Sequence, residues 1–331
     1  MVTRKQVAER AGVSVAAVSY VMNNKEGVSE ETRLKVMQAI QELGYQPNLL
    51  AQSLKTKKTN QLAVLINFLG NSFEAGILLH LESFARKHGY SIVFQTYSPE
   101  TEDDFVKFTA GRTDGVILLG QRLKPESFVQ LRKLQLPVIS VMEPPGGESP
   151  VPYVDIDWVD SFGRLIRHLK SAGHTSIGFI GIGQPDHYLS VRELAFERAM
   201  AMERLVFSPE EAIASGGRLE PVFETMKRRF HRSNHLTYTA YVAASDLMAV
   251  GLLSAARESG LQVPTQLAVA GCENILMTSQ TTPGVTVIDY PRKKAAATAI
   301  EMMLEYMKKD SPCSRTLPAE LLVRASTESG C

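Results

Sequence analysis

Apolar positions recur at helical spacing over the first 45 residues, then change at Gln61 to short apolar runs separated by amphipathic stretches. Within 3–23, Val7, Ala8 and Ala11 make one helical face, and Val18 and Val21 repeat at i, i+3 on a second. Thr3 and Gln6 have the capping-box spacing of a helix start. Gly12 follows the last periodic residue, where a helix end takes positive φ, and Ser14 is placed to cap a second helix. A small residue at Ala8, a glycine turn and branched residues at Val18 and Val21 suit two helices crossing closely, as in a helix-turn-helix. In that unit the second helix lies in the DNA major groove, with its N-terminal residues at base edges. Taken alone, the pattern also fits any helical hairpin. A third helix is expected over 29–44, with Ser29 as cap, Glu30 and Glu31 in the first turn, and Gly44 at its end. Leu34, Met37 and Ile40 to Leu43 are expected to face inward. A headpiece of roughly 45 residues is marginal by itself.

Beyond Gln61, strands are expected at 62–68, 91–97, 114–120, 137–142, 153–157, 176–182, 238–244, 267–272, 285–290 and 320–325. Helices are expected at 75–88, 160–171, 190–204, 247–259 and 292–309, and the turn-rich 143–152 reads as a loop. Alternating strands and helices specify parallel, doubly wound sheets. The lengths give two α/β lobes of about 100–130 residues each. The chain is expected to cross between them near 158–162 and 289–292, with a third crossing at 320–325. Ligands bind in such sheets at the C-terminal edges of the strands, here a cleft between the lobes.

Composition adds one fact to this picture. The net charge is only +1, but residues 1–60 hold nine Lys/Arg against five Asp/Glu, leaving +4, and the remainder is −3. A basic head on a mildly acidic body fits a small polyanion-binding module joined to something else. The three cysteines, Cys272, Cys313 and Cys331, are too scattered for a disulfide framework or metal cluster, and read as reduced thiols in a cytoplasmic protein. No signal peptide or transmembrane run is expected.

Residues 7–24 (VAERAGVSVAAVSYVMNN) and 28–54 (VSEETRLKVMQAIQELGYQPNLLAQSL) together resemble the LacI/GalR family of bacterial transcription repressors. The resemblance continues through DGVIL (114–118), GHTSIGFIG (173–181), SDLMAVG (245–251) and ELLVRAST (320–327). It implies an all-α helix-turn-helix headpiece at 1–45, a hinge helix and basic linker at 46–60, and an effector-binding and dimerisation core at 61–331. That core would have the two-lobed architecture of type I periplasmic binding proteins. Its N-lobe would span about 61–158 with part of 291–331, and its C-lobe about 160–290 with part of the C-terminal segment.

The resemblance places Val15, Ala16 and Tyr20 at the base-reading positions, with Tyr20 where the family usually has arginine. Val15 and Ala16 suit thymine methyls, and Tyr20 can hydrogen-bond a base edge or a phosphate. Ser14, Ala17, Ser19 and Asn23 flank the groove, and Thr3 and Asn48 are further phosphate candidates. Pro47 followed by helix formers marks a short helix, which the resemblance identifies as the hinge. It puts Leu54 in the role of a minor-groove wedge, with Ala51 beside it and Lys55, Lys57 and Lys58 as a basic tether. Without the neighbouring match, this segment reads first as an ordinary linker.

At the cleft, Asn71 and Phe73 fall in the family's ligand loop, where Phe73 fits either a sugar-stacking or a core position. Asp160 follows the fifth strand, and Arg192 matches an effector-binding arginine whose fork suits vicinal hydroxyls or a carboxylate. Ser245, Asp246, Glu273 and Tyr290 complete the set. Ser245 and Cys272-Glu273 depart from the family pattern, so a hexose is not implied. His174, in a Gly-His turn without a nucleophile or carboxylate partner, reads as a structural, hydrogen-bonded residue. The expected protein is a homodimeric repressor of a palindromic operator, switched by a sugar-like effector, with no metal, cofactor or membrane role. A solute receptor without a DNA role is the alternative, and an enzyme would need a catalytic constellation that the sequence lacks. The apolar AGILLHL within 75–88 is a candidate dimer surface or a lobe core face.

Overall fold

The computed structural model describes residues 2–22, 26–46, 56, 58–143, 149–183, 190–208, 212–232, 236–308 and 312–328. The chain divides into two compact units, Met1–Thr59 and Asn60–Cys331. Asn23, Asn48, Ala51, Leu54, Lys55 and Lys57 lie outside the described residues.

The first unit contains helices α1 (Arg4–Ala11), α2 (Val15–Met22) and α3 (Glu30–Leu43). Thr3 and Gln6 form the reciprocal capping box, and Gly12 ends α1 at φ +66°. The Ser14 hydroxyl accepts from Ala17 N–H at 3.1 Å, capping α2. The small core joins Val7, Ala8, Val18, Val21, Val36, Ala39 and Tyr45. Each fully buried valine contributes roughly 1.5–3 kcal/mol, which matters in so small a unit. The expected inward face of α3 is corrected in part: Leu34 and Met37 are 65% and 55% exposed, Val36 and Ala39 are buried in their place, and Ile40 and Leu43 pack against the core as expected.

The second unit runs β1 (Gln61–Ile66), α4 (Ser72–Lys87), β2 (Ser91–Thr96), α5 (Glu102–Thr109), β3 (Gly115–Leu118), α6 (Pro125–Lys133), β4 (Val138–Val141) and β5 (Tyr153–Ile156). It continues through α7 (Trp158–Ser171), β6 (Ile177–Gly181), α8 (Val191–Met202), β7 (Ile213–Ala214), α9 (Leu219–Arg232), β8 (Ala240–Ala243) and α10 (Asp246–Glu258). Last come β9 (Ala268–Gly271), α11 (Leu276–Gln280), β10 (Thr286–Asp289), α12 (Arg292–Met307), β11 (Arg315–Leu317) and β12 (Glu320–Leu322). Helices α5, α6, α9 and α11 and strands β7 and β11 are additions to the sequence expectation.

One sheet has the order β11-β5-β4-β3-β1-β2 and the other β12-β10-β9-β8-β6-β7. The runs LAVLI, VISV and IGFIG are buried along their length, as strands covered by helices on both faces must be. All described pairings are parallel except β10 with β12, which is antiparallel. The exception has a simple cause: only Pro318 and Ala319 link β11 to β12, too few residues for a parallel crossover. The chain therefore changes sheets at 157, at 290–291 and at 318–319, and the last strand stops at Leu322 rather than continuing to 325. His174 accepts the structural role expected for it, with Nδ1 3.1 Å from the Thr239 hydroxyl. Gly178 in β6 lies under Tyr238 and Tyr241, where a Cβ would collide with both rings, so its glycine serves packing.

Candidate functional site

The C-terminal ends of seven strands deliver side chains to one buried cluster. Phe73 comes from the start of α4 after β1, and Met142 follows β4 directly. Asp155 sits in β5, and Trp158 opens α7 at the first change of sheet. Arg192 stands in the first turn of α8 after β6, Asp246 begins α10 after β8, Cys272 and Glu273 follow β9, and Tyr290 follows β10. Both lobes thus contribute, as expected of a cleft between two open α/β sheets.

Arg192 is the centre of the cluster. Its Nη1 donates to Glu273 Oε1 at 2.8 Å and to the Ala244 carbonyl, and lies 3.7 Å from Cys272 Sγ. Its Nη2 reaches across to Met142 Sδ at 3.6 Å. The guanidinium lies 4.5 Å from the Trp158 ring centroid and 5.5 Å from that of Phe73. Tyr290 packs edge-on against Phe73 at 5.2 Å and stacked on Trp158 at 6.1 Å. Burial works against the guanidinium, but the Glu273 and Asp155 carboxylates around it leave its pKa raised. Desolvation also pushes the Cys272 thiol well up, making it an inert neutral group.

Two carboxylates organise the backbone beneath. Asp246 accepts from the N–H groups of Cys272, Glu273 and Ile275 and from the Thr278 hydroxyl, at 2.9 to 3.0 Å. Glu273 Oε2 in return accepts from Asp246 N–H at 3.1 Å. Burial, then the Glu273 charge, raises Asp246 to about 6 despite those donors. Asp155 accepts from Glu143 N–H, Ile156 N–H and the Trp158 indole, the last at 3.0 Å, and burial raises it to about 6. Glu74, bonded to Asn67 N–H at 2.9 Å and to the Asn67 side chain, is raised by burial to about 7. The Tyr290 hydroxyl is buried facing Asp155, a looser contact than a hydrogen bond of standard geometry, with Arg192 also nearby.

The structure brings Phe73, Arg192, Asp246, Glu273 and Tyr290 together. Asn71 and Ser245 act at the edge as helix caps: Asn71 accepts from Phe73 and Glu74 N–H, Ser245 from Met248 N–H. Asp160 stands apart from this cluster. It lies on the exposed side of α7, paired with Arg164 at 3.1 Å, because the helix starts at Trp158 and turns it outward. Asp155, Trp158, Met142 and Glu74 were not anticipated. The single tryptophan directly after a strand was the available signal for Trp158; a methionine thioether carries none. A groove of about 530 Å³ at the start of α12, lined by His80, Phe84 and residues 292–294, also shares Tyr290.

In the headpiece, Thr3, Ser14, Val15, Ala16 and Tyr20 are exposed, Val15 at 45% and Tyr20 at 46%. Ala17 and Ser19 are half-buried. The outer face of α2 is opposite Val18 and Val21, the two residues of the helix that the headpiece core buries. Among the described residues no helix is long and apolar enough to cross a membrane.

Residues 3–48 match the model of bacterial regulatory proteins of the lacI family, and residues 166–327 that of a periplasmic binding protein-like domain. The HTH-type transcriptional repressor PurR of Aliivibrio fischeri is 31% identical over 318 residues, covering 93% of this chain and 92% of its own. The repressor CytR of Escherichia coli is 29% identical, covering 98% and 96%. A lac repressor dimer bound to operator and an anti-inducer shares the fold at a TM-score of 0.86, with 24% identity over 99% of both chains. A complex of the transcriptional regulator CelR with cellobiose aligns at 0.72 with 26% identity, covering 98% of this chain and 100% of that one. With both units matched and a relative of this identity aligned over nearly its whole length, the chain belongs to the lacI family of bacterial regulatory proteins.

Proposed function

We propose that the protein is a cytoplasmic homodimeric repressor that reads a palindromic operator and is switched by a small hydroxylated effector, such as a sugar or sugar derivative. The observation that carries this reading is the Arg192–Glu273 pair, walled by Phe73, Trp158 and Tyr290 at the strand ends. Aromatic faces with convergent polar groups are what a ring bearing hydroxyls requires. In the headpiece, Val15 and Ala16 meet thymine methyls and Tyr20 a base edge or phosphate. Thr3, Ser14, Ser19, Asn23 and Asn48 contact the backbone, and the hinge around Ala51, Leu54 and Lys55 enters the minor groove. Effector in the cleft changes the relation of the lobes and so the pairing of the hinges, which needs a coupling of only about 1–3 kcal/mol.

The test is selection by the intact protein from a random pool of DNA duplexes, repeated across salt concentrations. A palindrome with steeply salt-dependent affinity is the expected product. Selection that enriches nothing, with or without a sugar panel present, overturns the proposal.

A further inference from the structure

We infer that the effector carries no net negative charge, and that phosphorylated or carboxylated forms of the same compound are rejected by the buried acids around Arg192. The inference rests on the effector-site reading above and narrows its ligand class.

The geometry leads there in three steps. Among the described residues the guanidinium is the cation of this cluster, and it is already matched: Glu273 takes Nη1 at 2.8 Å, and the guanidinium plane lies against Trp158 and Phe73. Against it stand Glu273 and Asp155, with Glu74 and Asp246 buried beside Glu273. A phosphate or carboxylate lodged against Arg192 would meet several acids and a cation already paired with Glu273, in surroundings that screen poorly; the basic residues 292–294 line the neighbouring groove instead.

The donors left for a ligand are suited to neutral oxygen. Among the described residues Arg192 Nη2 meets the thioether of Met142, a weak acceptor that a ligand hydroxyl or carbonyl would improve on. The Tyr290 hydroxyl, 1% exposed and held only by a loose contact to Asp155, is the second. A buried hydroxyl of this kind favours a ligand that supplies its partner. The carboxylates, by contrast, have lone pairs to offer to hydroxyl or amino donors. Asp155, Asp246 and Glu74 are all held above the ordinary carboxylate range by burial, showing that the site already resists the negative charge it has. An uncharged or amino-bearing ring satisfies both halves of this arrangement.

Matched compounds test it on the intact protein by thermal shift and calorimetry. Glucose is compared with glucosamine, glucose 6-phosphate and gluconate; ribose with ribose 5-phosphate; cellobiose with cellobionate; cytidine and adenosine with their 5′-monophosphates. The expected result is binding of at least one neutral or amino member, with its phosphate or acid weaker by about a hundredfold or more. Glu273→Gln should narrow that gap by about tenfold, and Asp155→Asn serves the same purpose if the first variant does not fold. A phosphate or acid that binds as tightly as its neutral counterpart overturns the inference and leaves the effector reading standing. A panel in which nothing binds overturns the effector reading itself, and the inference with it.

Discussion

Arg192 and Glu273 form a salt bridge of 2.8 Å with side chains only 9% and 5% exposed. Such a pair gains little over an apolar replacement, yet breaking it strands a charge out of water, at about 3–5 kcal/mol. Glu273→Ala and Arg192→Ala should therefore each destabilise the core by that amount. The double variant Arg192→Leu with Glu273→Leu should lose less than the sum of the two. Trp158 is the only tryptophan in the chain and lies against Arg192, so urea unfolding followed by its fluorescence reads the cluster directly. Additive losses would show that the two residues do not act as a pair.

Asp246 carries a different load. Its carboxylate holds the N–H groups of Cys272, Glu273 and Ile275 together with the Thr278 hydroxyl, fixing the turn that presents Glu273. Asp246→Asn replaces one acceptor oxygen with an amide that faces donors, which should cost roughly 2–4 kcal/mol. Ser245→Ala removes only a helix cap, worth about 1 kcal/mol. Gly271→Ala should resemble the first, because a Cβ there runs into Asp246 Oδ1. Equal stability of Asp246→Asn and wild type in urea titrations would refute this account of the turn.

The raised acids also give the core a pH signature. Glu74 rises from 4.5 to about 7, chiefly through burial, so the folded state binds its proton more tightly than the unfolded chain. The resulting stability is fully present below pH 4.5 and lost as pH climbs through 7; it amounts to roughly 3 kcal/mol at most. Asp155 and Asp246 act in the same direction through about 6. His168 and His174, lowered mainly by burial, act oppositely: their contribution is present above the unfolded histidine pKa and lost in acid. The useful measurement is thus a difference. Across pH 5 to 8, wild type should lose stability relative to Glu74→Gln, with most of the change between pH 5 and about 7 and little beyond it. A difference that stays flat would mean Glu74 titrates as an ordinary carboxylate.

Local chemistry was legible in the chain, and choices made by distant contacts were not. The Thr3–Gln6 box and the left-handed glycines at 12 and 44 need only their own neighbours, and all three are visible in the residues. Helix α3 has apolar residues at 34, 36, 37, 39, 40 and 43, more than one stripe can use, and only packing against Val7 and Val18 selects Val36 and Ala39. The cleft shows the same division. Arg192, Asp246 and Glu273 could be picked out by motif, but Asp160 and Asp155 lie close together in one segment of matching composition. What separates them is where α7 begins: Trp158 starts the helix, its indole reaches back to Asp155, and Asp160 rotates out to Arg164. The antiparallel β12 follows from a link of two residues, a constraint that appears only once both sheets are placed.

The headpiece allows the two halves of DNA recognition to be separated. Tyr20 lies 46% exposed on the outer face of α2, where Val15 and Ala16 offer only apolar contact. If its hydroxyl reads a base edge, Tyr20→Phe should weaken the selected operator by roughly 1–3 kcal/mol while leaving random duplex binding and its salt slope unchanged. If it meets a phosphate instead, both sequences should weaken alike. Leu54 is proposed to act through DNA shape, so Leu54→Ala should reduce operator affinity by about tenfold or more without altering the core's urea midpoint. Its effect should fall most on operators with stiff central steps, since a wedge contributes most where bending is costly. Anisotropy titrations with two operators differing only at the centre distinguish the cases. Equal losses on both would place Leu54 in the packing of the hinge rather than between the base pairs.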